Sequence, residues 1–290
     1  MVDFIIFIHF SNLNQFNFKK SNQMAKLWQA CSAGKVEEVR KLLQNSQINI
    51  NWHDPKDSKT SLYNACEKGK INIVKLLRND RRVDLNKANV DGITPFYVAC
   101  QYGYFEIVKL LLIDERVDIN QANNISQTPF YVACCEGQIE VVKLLLNDKR
   151  TIINKPMNDG ATPFFIACCK GDIEIVKLLS NDERVNINQA KLSGKTPFYI
   201  ACEFGHINVV KYLLACNRRI DINKMYKHTK TPLDISKQRS TSTEKYRWET
   251  EEQFQSAKKN CSKIVELTEL FQRNQNEART KLRKELGLPG

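Results

Sequence analysis

The ten cysteines are the residues best equipped for chemistry in this chain. Thiolates are nucleophiles and zinc ligands, so their spacing decides whether they form a site. Cys66, Cys100, Cys134, Cys168 and Cys202 recur every 34 residues, which marks one repeated small core position rather than a cluster. Equivalent positions on stacked helices lie roughly 10 Å apart, too far for a disulfide. Reduced thiols of this kind fit a cytoplasmic or nuclear setting. The adjacent pairs Cys134/Cys135 and Cys168/Cys169 come nearest to a metal motif. Helical neighbours, however, point about 100° apart, and no C-x-x-C or paired histidine supports zinc. His9, His53, His206 and His228 stand in no nucleophile or metal motif. Gly194-Lys195-Thr196 matches the end of a phosphate loop, but residue 189 is Gln where the opening glycine belongs. No catalytic residue, metal or cofactor is therefore nominated.

The elements that would position any site repeat. Thr94 opens TPFYVACQYGYFEIVKLLLIDERVDIN, and Thr60, Thr94, Thr128, Thr162 and Thr196 are each separated by 34 residues. Thr94 suits an N-cap because its hydroxyl accepts an orphan backbone N–H, and Pro95 suits the first helical position, which needs no N–H. Phe96, Val98, Ala99 and Cys100 give this helix an apolar side, and Gly103 permits its exit. Ile107, Val108, Leu110, Leu111 and Leu112 form the stripe of a second helix, with Lys109 toward solvent. Val117 to Asn120 and on to Thr128 reads as a hairpin-like connector. One such unit buries too little to offset backbone entropy, so neighbours must stack.

TPFYVAC, the following glycine, EIVKLLL and VDIN together closely resemble the ankyrin repeat, written around TPLH-x-A. The resemblance covers about Ala25 to Phe271. It implies an all-α repeat solenoid of ankyrin repeats, each a helix-turn-helix plus a hairpin-like loop, in a curved stack. Three departures recur. Tyr97, Tyr131, Phe165 and Tyr199 stand where the family usually has His, so the family's His-to-Thr side-chain hydrogen bond is not carried over. Cys100, Cys134, Cys168 and Cys202 replace a second Ala, and the spacer after the second helix is one residue longer than in the usual unit.

In chain order, residues 1–23 form a leader outside the repeats, disordered or a non-native upstream start. Its run FIIFIHF falls far short of the roughly 20 apolar residues a membrane span needs. The array is expected over 24–235: an N-terminal cap over 24–51, repeats from about 58, 92, 126, 160 and 194, and a last one from about 229. In that last repeat the second-helix text beginning at Ile264 arrives 33 residues after Thr231, against 13 from Thr94 to Ile107. The difference implies an insertion over 236–259, followed by a C-terminal capping helix and charged tail over 260–290. Phe254, Ala257, Cys261, Ile264 and Phe271 have coiled-coil-like spacing that Thr268 and Gln275 interrupt. Two readings stand, a lengthened cap and a helix that pairs with another chain.

The formal charge of +12 admits an acidic partner. Lys75, Lys109, Lys143, Lys177 and Lys211 recur at one position, however, as a solvated helix face does. Function should then reside where this chain's own repeats differ. By the resemblance, the residues around the helix-exit glycine and the hairpin tips line the concave groove. The candidates are Lys68, Tyr102, Tyr104, Glu136, Gln138, Lys170, Asp172, Phe204, His206, Asp91 and Asp159. Tyr102, Tyr104 and Phe204 lead as aromatic anchors, or else they cover neighbouring apolar surface. Leu112 followed by Asp118-Ile119-Asn120 is similar to the pattern around asparagines hydroxylated in some ankyrin proteins. The expectation is a monomeric, non-enzymatic scaffold or adaptor that binds another protein, without a membrane segment. Nucleic acid or another polyanion on the basic surface is one alternative. A regulatory subunit or fragment of a larger enzyme is the other.

Overall fold

The computed structural model describes residues 23–227 and 229–289. The expected leader, with His9, lies outside the described residues save for residue 23, and so do His228 and Gly290. Fifteen helices account for the regular structure, and among the described residues there is no strand, only isolated bridges such as His53 to Thr60.

The chain divides into two compact units, residues 1–124 and 125–290. The first holds α1 (23–33), α2 (Val36–Leu43), α3 (Ser61–Glu67), α4 (Ile71–Asn79), α5 (Pro95–Gln101) and α6 (Phe105–Leu112). Helices α3 and α5 pack as an inner row, and α2, α4 and α6 as an outer row. The second unit begins with α7 (Pro129–Cys135), α8 (Ile139–Asn147), α9 (Pro163–Lys170) and α10 (Ile173–Ser180). It continues with α11 (Pro197–Glu203), α12 (Ile207–Ala215), α13 (Pro232–Thr241), α14 (Glu251–Arg273) and α15 (Gln275–Glu285). Its inner row is α7, α9, α11 and α13; its outer row is α8, α10, α12 and α14. Each unit is thus the expected stack of helix pairs.

The repeated residues do what their chemistry dictates. Thr60, Thr94, Thr128, Thr162 and Thr196 each accept the backbone N–H three residues on, at 3.0–3.1 Å. The cap therefore needs no histidine. Tyr97, in the usual histidine position, is buried and its hydroxyl accepts from the Asn123 amide at 3.3 Å. Cys66, Cys100, Cys134, Cys168 and Cys202 are buried against the helix pairs, and all ten thiols are free. Burial pushes the Cys31 thiol up to about 12 and raises those of the periodic cysteines, which makes them poor nucleophiles. Adjacent hairpin tips are joined by backbone bonds: Val90 N–H to the Asp57 carbonyl (3.1 Å), Asn124 to Asp91 (3.0 Å), Asn158 to Ile125 (3.2 Å) and Leu192 to Asp159 (2.9 Å).

Four of the repeats follow their outer helix with an Asp-x-Arg turn. Asp80, Asp114, Asp148 and Asp182 each accept the backbone N–H and the guanidinium of the arginine two residues on. The arginine then reaches back to the carbonyl end of the preceding outer helix. Arg82 donates to the Leu43 carbonyl at 2.9 Å, Arg116 to Arg78 at 2.6 Å and Arg184 to Leu146 at 2.6 Å. A cation at that end also opposes the negative pole of the helix.

At the C-terminus the structure departs from the expected boundaries. Helix α14 starts at Glu251, inside the span assigned to the insertion, because Thr250 and Gln253 form a reciprocal capping box there. One continuous helix then runs through residue 260 to Arg273. Thr268 does not interrupt the seam but is buried in it with Phe254, Ala257, Cys261, Ile264 and Phe271. This face packs on α11, α12 and α13 of its own chain. Most of the charged tail is helical. Helix α14 breaks at Asn274, whose side chain caps α15, and α15 buries Ala278 and Leu282 against α12 and α14.

Candidate functional site

The turn glycines organise the sequence-nominated residues into two classes. Gly69, Gly103, Gly137, Gly171 and Gly205 all have left-handed φ between +65° and +73°. The residue after each glycine starts the outer helix, and Lys70, Tyr104, Asp172 and His206 each rest on the glycine of the preceding repeat. In the first unit a Cβ on Gly69 would lie 2.9 Å from the Tyr104 ring, and the Tyr104 hydroxyl reaches the Glu67 carbonyl at 3.5 Å. In the second unit a Cβ on Gly171 would meet the His206 ring at 2.4 Å, and His206 Nε2 lies 2.9 Å from the Cys169 carbonyl oxygen. Burial holds the His206 pKa below its usual value, while the contact to the Cys169 carbonyl opposes that shift. Asp172 accepts the Ile175 N–H at 3.1 Å as an N-cap and would touch a Cβ on Gly137. Gln138 is half-buried and engaged by a neighbour. Tyr104, Asp172 and His206 thus join one repeat to the next.

The residues before the glycines are the more open ones. In the first unit Lys68 and Tyr102 are exposed, Tyr102 by 50%. The Tyr102 and Tyr104 rings lie 5.9 Å apart at 33°, so Tyr104 supports Tyr102 from below. Asp91 is exposed at a hairpin tip. In the second unit Glu136 and Lys170 are exposed on the exits of α7 and α9. Asp159 is tied to Lys191 at 2.5 Å across two tips.

Phe204 is not the open aromatic that the sequence suggests. Tyr246, from the segment between α13 and α14, stands edge-on to it at 5.9 Å and 89°. The Tyr246 hydroxyl donates to Glu203 at 2.7 Å, and Arg239 lies 4.2 Å above the Tyr246 ring. Arg239 is itself buried and paired with Glu249 at 2.6 Å. Trp248 stacks on Tyr246 at 5.0 Å and 15° and is 70% exposed. Phe204, Tyr246 and Trp248 therefore form an aromatic run that begins on an inner helix and ends in solvent. The sequence reading missed Tyr246 and Trp248. The available signal was two aromatics one residue apart within an otherwise polar insertion.

The residues with catalytic potential are occupied structurally. Lys195 of the Gly-Lys-Thr stretch pairs with Glu203 at 2.6 Å, and Thr196 caps α11. His53 lies within a bridge to Thr60. Asn120 is half-buried and engaged. At the equivalent position in the same unit, Asn86 donates to the Arg116 carbonyl (2.7 Å) and accepts from Asp118 (2.7 Å). The described residues contain no group of three or more His, Cys, Asp or Glu arranged to hold a metal ion, and no helix long and apolar enough to cross a membrane.

A family model described as ankyrin repeats in three copies matches residues 1–89, 81–156 and 147–226. A comparison with curated proteins found no match.

Proposed function

Because the chain belongs to the ankyrin-repeat family, whose repeats generally act as protein–protein interaction modules, we propose that it is a non-enzymatic scaffold or adaptor. It holds a partner protein on the inner-helix exits and hairpin tips of its units. The observation that carries this reading is the contrast within each turn. The buried positions are nearly identical from repeat to repeat, while the exposed pre-glycine residues vary within each unit, Lys68 against Tyr102 in the first and Glu136 against Lys170 in the second. A surface that only had to be wet would have no reason to keep Tyr102 half-exposed and propped by a second ring. Exposed aromatics of restricted mobility are typical anchors of protein interfaces, because little side-chain entropy is lost when they are covered.

The test is affinity capture with quantified partner recovery by wild type, by Tyr102→Ala with Trp248→Ala, and by Lys109→Ala with Lys143→Ala as an outer-helix control. Truncation of interface anchors costs on the order of 2 kcal/mol or more each. The inner-face variant should lose its specific partner by at least tenfold, while the control retains it. Equal recovery by all three proteins contradicts the reading.

A further inference from the structure

The outer side of the first unit carries a second feature, distinct from the pre-glycine surface. Arg78, Asn79, Arg81, Asp114 and Arg116 line a cavity of about 550 Å3 at the ends of α4 and α6. Arg78 is a departure from this chain's own repeat: the same position holds Leu112, Leu146, Ser180 and Leu214 in the following repeats. Its Nε donates to Asp114 at 2.9 Å. Arg116 donates to the same carboxylate oxygen, also at 2.9 Å, and to the Arg78 carbonyl at 2.6 Å. Both guanidiniums are thereby fixed in orientation while keeping further N–H donors uncommitted among the described residues.

The charges do not balance. Asp114 is the sole acid lining the cavity, and hydrogen bonds from the Arg116 side chain hold its carboxyl down to about 2, so it stays ionised. Three guanidiniums against one carboxylate leave two positive charges. Arg81 is exposed and makes no ion pair or hydrogen bond among the described residues. In the next repeat the equivalent of Arg81 is Glu115, and later ones are Lys149 and Glu183, so no other turn combines these arginines. Planar guanidinium forks suit the tetrahedral oxygens of a phosphate, which accept several charge-assisted bonds at once.

We propose that Arg78, Arg81 and Arg116 form an anion site that takes a phosphate dianion, whether free or carried as a monoester on a phosphorylated side chain. The two uncompensated positive charges match the ligand's two negative ones. Arg78 and Arg116 supply the preset walls, and Arg81 closes over the bound group from solvent. Asn79, exposed at the rim, contributes an amide donor.

The experiment titrates the full-length chain with inorganic phosphate and with the pentapeptide Gly-Gly-phosphoserine-Gly-Gly, at constant ionic strength. The unphosphorylated peptide and a short single-stranded oligothymidylate serve as comparisons. Arg81→Gln removes the free guanidinium without touching the Arg78–Asp114–Arg116 lattice. Lys109→Gln removes the same charge from an exposed outer-helix position. Saturable one-to-one binding of either phosphate probe, weakened roughly tenfold or more by Arg81→Gln and unchanged by Lys109→Gln, is the expected result. Tighter binding of the phosphopeptide than of phosphate identifies a phosphorylated segment as the source. Equal affinity identifies the free anion. Absence of saturable binding by both phosphate probes overturns the proposal. So does preferential oligothymidylate binding weakened equally by both substitutions, the mark of a diffuse basic surface. A failed partner capture by the inner face leaves this outcome untouched, because the two sites share no residue.

Discussion

At the residue scale, a glycine and the side chain that rests on it form the joint between repeats. Gly205 and Gly287 separate the two constraints on such a joint. Both are left-handed, with φ of +69° and +64°. A Cβ on Gly205 would lie 2.7 Å from the Ala257 carbonyl oxygen and 2.9 Å from its Cα, whereas a Cβ on Gly287 would meet nothing within 4 Å. Left-handed strain costs each alanine about 1 kcal/mol, and only Gly205→Ala must also displace the α14 backbone. Gly205→Ala should therefore destabilise by roughly 2–4 kcal/mol and Gly287→Ala by about 1 kcal/mol, read as midpoints of urea unfolding. Equal losses would mean that α14 does not press on the α11 exit. This joint was half legible in the sequence: the glycines mark themselves by periodicity, but what lies above them does not. Tyr104 and His206 look like open binding residues on paper because their variation resembles that of a recognition surface. In space, each ring or polar group is a different solution to covering the same glycine.

At the element scale, the Asp-x-Arg turn ties successive outer helices together. The aspartate fixes the arginine, and the arginine covers the carbonyl end of the preceding outer helix. The carboxyls of Asp80, Asp114, Asp148 and Asp182 all lie below the ordinary range, first because of hydrogen bonds from the arginine side chain. A carboxylate lowered in the folded state adds stability that is fully present above its unfolded pKa of about 3.9. That stability disappears as pH falls toward the folded value, about 2 for Asp114. Denaturation midpoints should accordingly fall between pH 5 and pH 2. Asp114→Asn should be less stable at pH 6, while the gap to wild type narrows by pH 2. A gap that widens on acidification would contradict this role. The helix pairs themselves were legible because the chain supplies its own alignment. The C-terminal elements were not, since the insertion has no counterpart in the other units. There the boundary was set by the Thr250–Gln253 capping box and the Asn274 break, local signals that a repeat comparison passes over.

At the scale of the whole molecule, each of the two units offers inner helices whose buried residues are nearly interchangeable and whose exposed pre-glycine residues differ. The second unit ends its inner row with a packed C-terminal pair rather than with another repeat. That closure leaves Trp248 as its most exposed aromatic. Recognition on the inner side and the outer lysine row, Lys75, Lys109 and Lys143 among them, make opposite claims about which surface a partner covers. The most direct measurement is site-specific photo-crosslinking, with benzoylphenylalanine placed in the full-length chain at position 102, 248 or 109. The account predicts partner adducts from 102 and 248 and none from 109. Adducts confined to 109 would contradict it.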